Sequence, residues 1–546
     1  MHYLQQRIFY ISSLPLAVCF LLAMHVYIPN MGGTGLALPL NLTAWLSMAA
    51  VVLTTSVSQL QRQSWVGSPV LKWLVVGGVL YTLPLLWSEQ RIWQQEAQLR
   101  VLAVWGGIAF YYALLQLPLR ATHRRLWMAL IIIATLQESL LSLLQLWVFD
   151  RHNWMEYDPR GGRPFAIFQQ INVLGSFVAT GYAAAILLWL RSRSPRARPL
   201  SAAALTLLPF ILVITQSRIA WVGAIAVILG YTLLQWRNKQ LWYATALSAL
   251  GTGSAWLYQT YIHGEPSIEK SGSDTHRLEL LRVAVQMIME RPLQGWGYGS
   301  YSWHTAHYPG WALDAYTLNH PHNELLYGWM EGGLIALAAM LMIAFAAAIP
   351  LFSRRWRSRM LWWLPMLPIA LHTQTELVLY QSAVHWMTLI ALLRLATPKV
   401  LTTPHRASRM RMVSVHGPGV VAAGLTMVFV VTGYQTQAQL TQQERRGFSD
   451  SEAIAGVLNP WSTPSRWAYD YHTALLQRFN HTQAPELLER YLAWGGEYVL
   501  AFNNPNVYAD MLAITRHQLQ FEEAEHWRKT AQVLFPTDTR FSLGKL

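Results

Sequence analysis

Charge is scarce in this sequence and cysteine is almost absent. Only 12% of the 546 residues are Asp, Glu, Lys or Arg, against roughly 25% in a soluble globular protein, and 53% are hydrophobic. A single soluble domain is excluded. The one cysteine, Cys19, sits inside an apolar run, which excludes an intrachain disulfide framework and any thiolate-ligated zinc or iron–sulfur site. Low-complexity segments and internal repeats are also missing. What the chain has in abundance is apolar runs, recurring from Ile8 to Val431. A hydrocarbon core of about 30 Å needs about twenty helical residues, and lipid offers backbone groups no other partner, so these runs are expected to be helices.

Thirteen spans are predicted: 8–28, 36–58, 68–87, 99–117, 126–148, 168–190, 199–215, 219–235, 241–261, 324–350, 360–380, 383–397 and 416–435. The first is read as a retained span, being too long for a signal peptide and lacking a small-residue cleavage site. The net charge of +14 raises nucleic acid as a partner, but the cations lie where topology wants them. Alternate loops carry Arg62, Arg120 to Arg125, Arg191 to Arg198, Arg237 with Lys239, Arg354 to Arg359, and Lys399 to Arg411. The positive-inside rule makes those loops cytoplasmic, and nucleic-acid binding is not expected. The loops between them, including 150–163 and 263–323, then face outward. The expected fold is an all-α polytopic membrane domain over 1–436 with a large outer loop at 263–323. A soluble helical domain over 437–546 follows, on the same outer side.

Within the outer loop, the spacing of Leu278, Leu281, Val285 and Ile288 predicts an amphipathic helix ended by Arg291-Pro292. Gly295, Gly297 and Gly299 follow that helix and do not precede one, so they form no dinucleotide fingerprint; they read as a turn back to the membrane. In the tail, Tyr508 to Phe535 resembles one helical-hairpin repeat of the tetratricopeptide sort, either a partner-binding module or a cap on the membrane domain.

Four polar blocks fall on the outer face. In Asn319-His320-Pro321-His322-Asn323-Glu324, Pro at the first helical position and Asn at the cap predict that His322 and Glu324 lie in the first turn of the next span. A helix N-terminus suits phosphate and disfavours imidazolium, leaving His322 neutral and available as a base. The alternative is a pair of interfacial histidines capping a helix. No third ligand at helical spacing completes a metal site. Thr215-Gln216-Ser217-Arg218 sets an arginine at the membrane boundary, either snorkelling to headgroups or meeting an anion; Arg277 and Arg282 add cations suited to a diphosphate. The stretch from Arg163 to Asn172 carries Gln169, Gln170 and Asn172 into the sixth span, where amides want sugar hydroxyls or a neighbouring helix. Glu376, Tyr380, Ser382 and His385 lie at the outer ends of spans eleven and twelve, with an ion pair as the alternative role for Glu376. Together they describe an outer-leaflet cavity fitted to a lipid-linked anionic substrate.

The stretches RPFAIFQQINVLGSF, TQSRIAWVG, HRLELLRVAVQMI, RPLQGWGYGSY, HPHNELLYGWMEGG and TELVLYQSAVHW resemble the bacterial protein O-oligosaccharyltransferases of the PglL type, relatives of the O-antigen ligase WaaL and the polymerase Wzy. The resemblance runs from about Arg163 to Trp386 and extends to the tail. It implies an inner-membrane enzyme that takes a glycan from undecaprenyl diphosphate at the periplasmic face and transfers it whole to Ser or Thr of a periplasmic acceptor protein, such as a pilin. It implies His322 as the essential histidine, Arg218 and Arg277 as diphosphate-binding arginines, and Gln170 and Tyr380 as further residues needed for transfer. The register of Gln169 and Gln170 stays ambiguous. Arg163, Asn172, Arg282, His320, Asn323, Glu324, Glu376 and His385 complete the expected substrate-binding set, although the family's aromatic four residues after Arg277 is Leu281 here. No cofactor or metal is expected. The alternatives are an O-antigen ligase acting on lipid A core and a transporter of lipid-linked glycan.

Overall fold

A computed structural model describes residues 2–29, 35–62, 64–192, 194–263, 271–309, 315, 320–397, 405–406 and 408–542. Asn319 and most of the segment between Tyr308 and His320 lie outside the described residues. The chain is all-α apart from a two-residue antiparallel bridge, Ser64–Trp65 with His405–Arg406.

The membrane region begins with α1 (His2–Leu21), α2 (Pro39–Arg62), α3 (Pro69–Thr82), α4 (Arg91–Leu115), α5 (Ala121–Trp147) and α6 (Ile171–Arg191). It continues with α7 (Ala197–Thr215), α8 (Arg218–Gln235) and α9 (Lys239–Tyr258). Two loop helices follow, α10 (Ser271–Glu290) and α11 (Tyr301–Ala306), then α12 (Glu324–Ala348), α13 (Trp356–Trp363), α14 (Leu367–His372), α15 (Val378–Gln381), α16 (Ala383–Ala396) and the long α17 (Arg409–Arg445). The tail is α18 (Ser451–Ala455), α19 (Pro464–Thr482), α20 (Pro485–Tyr498), α21 (Pro505–His517) and α22 (Phe521–Leu534).

Each of the thirteen expected spans contains helix, and ten helices among the described residues are long and apolar enough to cross a membrane. The other three expected spans differ from these in different ways. Helix α9 is less apolar, α16 is a short apolar helix, and the stretch expected at 360–380 is broken into α13 and α14 around Pro365 and Pro368, because proline removes a helix donor and clashes with the preceding turn. Helix α6 is central, with every residue from Val173 to Leu188 buried.

The described part of the 263–323 loop docks against α12 rather than merely returning to the membrane. Trp296 and Gly297 donate backbone N–H groups to Met330 O at 3.0 Å and Glu331 O at 2.8 Å, and Leu334 N donates to Leu293 O at 3.1 Å. This is possible because α12 breaks at Gly333, whose φ is +64°. Any Cβ on Gly333 would meet Leu293 O, and one on Gly295 would meet Glu331 O. A buried ion pair pins the same junction: Arg100 Nη2 to Glu331 Oε2 at 2.5 Å, with the guanidinium over the rings of Tyr298 and Tyr327. Glu331 Oε1 also accepts from Gly299 N and Tyr301 N.

The buried face of α10 differs from the expected one. Leu280, Val283, Ala284, Met287 and Ile288 are buried, whereas Leu278 and Val285 are exposed. The helix is apolar enough to offer two stripes, and its partners select one: Leu280 joins the core of the tail with Tyr491, Tyr498 and Met511, and Val283 and Met287 pack with Tyr301 and Met330. The tail is therefore seated on the outer loop. Trp93 Nε1 donates to Leu500 O at 2.7 Å and Asn503 Nδ2 to Ser302 O at 2.9 Å. Two successive helix pairs, α19 with α20 and α21 with α22, build it, and α17 runs without interruption through the expected boundary at 436.

Candidate functional site

Glu376 lies in the turn between α14 and α15, with 2% of its surface exposed. Its Oε2 accepts from Gln170 Nε2 at 2.5 Å and its Oε1 from Asn172 Nδ2 at 2.7 Å and Arg277 Nη2 at 3.1 Å. Amide nitrogens and guanidinium only donate, so both oxygens are acceptors and the group is a carboxylate. The start of α6 and helix α10 thus converge on one anion carried by the 373–377 turn. Asn172 passes the connection on, its Oδ1 accepting from Ser217 Oγ at 2.8 Å. Ser217 stands at the N-cap position of α8, so this bond locates Arg218, the exposed first residue of that helix.

On its other side Glu376 faces a buried chain of side chains. His372 Nε2 stands 3.5 Å from Oε2, His372 Nδ1 lies 2.8 Å from Ser176 Oγ, and Ser176 Oγ lies 3.1 Å from His385 Nε2. His385 Nδ1 then meets Ser382 Oγ at 2.8 Å. Neither His372 nor His385 has any exposed surface. His385, expected to touch substrate, is enclosed here by Ser176 and Ser382.

The His-Pro-His-Asn-Glu block is fixed beside this cluster by its own last two residues. Asn323 caps α12 by accepting from Leu326 N at 2.9 Å and donates to Gln374 O at 3.0 Å. Glu324 N donates to Thr373 O at 2.9 Å, and Glu324 Oε1 accepts from Leu379 N at 3.2 Å. The cap is thus Asn323, and His322 and Pro321 precede the helix instead of opening it, because a capping Asn nearer the apolar run wins the N-terminus. His322 adopts a left-handed φ of +55°, and its N–H donates to His320 Nδ1 at 3.2 Å. That contact makes His320 Nδ1 an acceptor, so His320 is neutral. Burial pushes the His320 pKa down to about 4, with His322 adding to the shift. Burial, then the charge of Arg277, also lowers His322, against an opposing pull from Glu376. His322 Nδ1 is buried without a hydrogen-bond partner among the described residues.

The remaining expected residues are spread around this centre. Arg163 precedes the 165–170 loop and its Nε is buried without a partner among the described residues. Tyr380, on α15, packs its ring against the backbone of Gly35. Arg282 bonds Glu279 and, at 3.0 Å, Gln286 of its own helix. Of the two glutamines with ambiguous register, Gln170 reaches the carboxylate, while Gln169 takes a left-handed φ of +56°. Among the described residues no group of three or more His, Cys, Asp or Glu side chains gathers as a metal site requires. The sequence reading missed His372 and Ser176, and it did not connect Arg100 with Glu331; an ionisable residue inside a span was the available signal.

Such an assembly offers two arginines and a neutral histidine beside a fully engaged carboxylate, an arrangement able to hold an anionic group and accept a proton next to it. Comparison with known families agrees with this chemistry. Residues 201–341, which carry Arg218, Arg277 and His322, match the family described as O-antigen ligase. Residues 360–543, which carry Glu376, Tyr380, His385 and the tail, match the family described as virulence factor membrane-bound polymerase, C-terminal. A search of curated proteins found no match. Gln170 and Asn172 lie outside both matched regions, yet both bond the carboxylate of the second. These two matches, with the polytopic all-α fold, support the O-antigen ligase superfamily for this chain.

Proposed function

We propose that this protein is a glycosyltransferase of the bacterial inner membrane that moves a preassembled glycan from undecaprenyl diphosphate to a Ser or Thr hydroxyl of a periplasmic protein, a pilin or pilin-like chain being the model acceptor. The observation that carries the reading is the convergence of Arg277, Gln170 and Asn172 on Glu376, with His322 held neutral beside them. Such a centre binds a diphosphate through arginine forks and keeps a base next to it.

The reaction is a single displacement. The acceptor oxygen forms a bond to the anomeric carbon, the bond from that carbon to the phosphate oxygen breaks, and the hydroxyl proton passes to His322. Undecaprenyl diphosphate leaves, and the configuration at the sugar carbon inverts. Arg218 and Arg277 neutralise charge growing on the diphosphate, an electrostatic contribution commonly of several kcal/mol. Arg277 uses one of its five N–H donors on Glu376, so it is oriented by the carboxylate with donors remaining for the ligand. Glu376 is spent on orientation and is not the base, since both oxygens already accept. His322, not His320, is the proton acceptor, because His320 Nδ1 already accepts the His322 N–H.

The tail favours a protein acceptor over lipid A core, since it forms two helix pairs seated on the outer loop that carries Arg277. The test is intact mass of periplasmic proteins, pilins first, from cells making a lipid-linked glycan with this protein as wild type or His322→Ala. A glycan-sized increment is expected with wild type alone. Glycan gained by lipopolysaccharide with no protein modified would give the ligase reading instead.

A further inference from the structure

Beside Gln170 lies an open cleft of about 260 Å³. One wall is the 167–170 loop, the other is 35–41 at the start of α2, with Tyr27 at one end and Gln381 and Ser382 at the base. Both walls are pinned from behind by buried polar groups that serve no other visible purpose. Gln145 Oε1 accepts from Phe165 N at 3.0 Å and Ala166 N at 2.8 Å, and Glu138 Oε2 accepts from Ile167 N at 3.1 Å. Glu138 is held in turn by His25 at 2.6 Å. The loop so fixed carries two non-glycine residues at positive φ, Ala166 and Gln169, a strain that persists only where surroundings impose it. The opposite wall is held by Asn41, which donates to Gly35 O and Gln381 O and accepts from Ala383 N at 2.7 Å.

The lining mixes apolar side chains, Tyr27, Leu38, Ile167 and Phe168, with amides. Gln170 and Gln381 each keep a buried amide oxygen without a partner among the described residues. For Gln170 the identity of that atom is settled chemically, because its nitrogen is committed to the carboxylate. An amide oxygen only accepts, so the partners these two atoms lack are donors, which hydroxyl groups supply. Gln170 is also the shared wall between the cleft and the Arg277–Glu376 pair, so a ligand whose diphosphate meets Arg277 has its next covalent unit at this opening.

We infer that the cleft is a saccharide subsite taking the sugar attached to the diphosphate of a polyprenyl-linked donor, with Gln170 and Gln381 accepting from its hydroxyls. This rests on the donor named under the proposed function. The apolar walls cover the ring, and the pinned loop presets its orientation.

The test is binding of two lipids to the full-length protein in nanodiscs: a polyprenyl diphosphate carrying the glycan, and the same polyprenyl diphosphate without sugar. Gln381→Leu removes one acceptor and Leu38→Trp fills the cleft from the opposite wall, so the two variants perturb it independently. The glycan-bearing lipid is expected to bind about 3- to 10-fold more weakly to Gln381→Leu, and more weakly still to Leu38→Trp. The sugar-free lipid should bind both variants as it binds wild type. Equal binding of the glycan-bearing lipid to wild type and to both variants overturns the subsite. So does a rise in the KM for an acceptor peptide with donor affinity unchanged, which would give the cleft to the acceptor. A wild-type protein that binds neither lipid contradicts the donor reading itself, and the subsite with it.

Discussion

Replacing Glu376 with Leu tests whether one carboxylate organises the site. Leucine fills similar space, so water does not take the place of the lost oxygens. Gln170 Nε2 and Asn172 Nδ2, now at 2.5 and 2.7 Å from the carboxylate, then face an apolar side chain. Each buried donor left unpaired costs about 1–3 kcal/mol, about 2–6 kcal/mol for the two. Arg277 adds little, because its side chain is 37% exposed and turns to water. Against a typical stability of about 5–15 kcal/mol the loss is visible as a lower midpoint of thermal unfolding in nanodiscs. Transfer should fall further, by about 10²-fold or more, since positional errors near 1 Å are that costly. Glu376→Gln is the informative companion. Gln170 can turn its amide over, its oxygen having no partner to lose, so most stability returns while the charge that orients Arg277 does not. Wild-type unfolding and wild-type kcat/KM in Glu376→Leu would refute the reasoning.

Three further outcomes follow from the same contacts. The neutral His322 is the reactive form and its pKa is lowered, so transfer should hold level through pH 7 and fall only as the pH drops below the ordinary histidine value of 6.5. The unfolded chain takes up that proton first, so this group also withdraws stability as the pH falls from there through the folded value; an acidic limb centred above 6.5 in a rate profile would contradict the assignment. Arg100→Ala leaves Glu331 buried and unpaired and should cost about 3–5 kcal/mol, read as a large fall in the unfolding midpoint, with Glu331→Gln in the same background recovering part of it. Trp93→Phe removes the bond to Leu500 O and should loosen the tail by about 0.5–1.5 kcal/mol, seen as faster amide exchange in α20 and α21 with the membrane helices unchanged.

The membrane helices were legible in the sequence because hydropathy is a local property, and each of the thirteen apolar runs contains helix. Long-range choices were less legible. The break in α12 needed Leu293 and Gln294 to reach Gly333, and the adjacent pair Gly332-Gly333 in an apolar run was its only local trace. The buried stripe of α10 was decided by the tail and the outer loop, not by its own periodicity. Asn323 rather than Asn319 caps α12, and a cap so close to the apolar run was readable. The four polar blocks were legible as one face, and three of them meet at Glu376. Glu376 was read either as a substrate ligand or in an ion pair with an arginine; the structure shows the ion pair, with Arg277, and what the sequence did not show is that Gln170 and Asn172 share the same carboxylate. Ser176 and His372 joined the site only through packing of α6 against α14, which no spacing within either helix encodes.

The most direct test is a reconstituted reaction: purified protein in nanodiscs, a glycan on polyprenyl diphosphate, and a Ser- and Thr-containing pilin peptide, with products followed by mass. Lipid A core oligosaccharide serves as the competing acceptor. The account predicts glycopeptide with wild type, and none detectable with His322→Ala, whose affinity for the donor lipid is retained. Glycan appearing on the core oligosaccharide alone, or His322→Ala transferring at the wild-type rate, would contradict it.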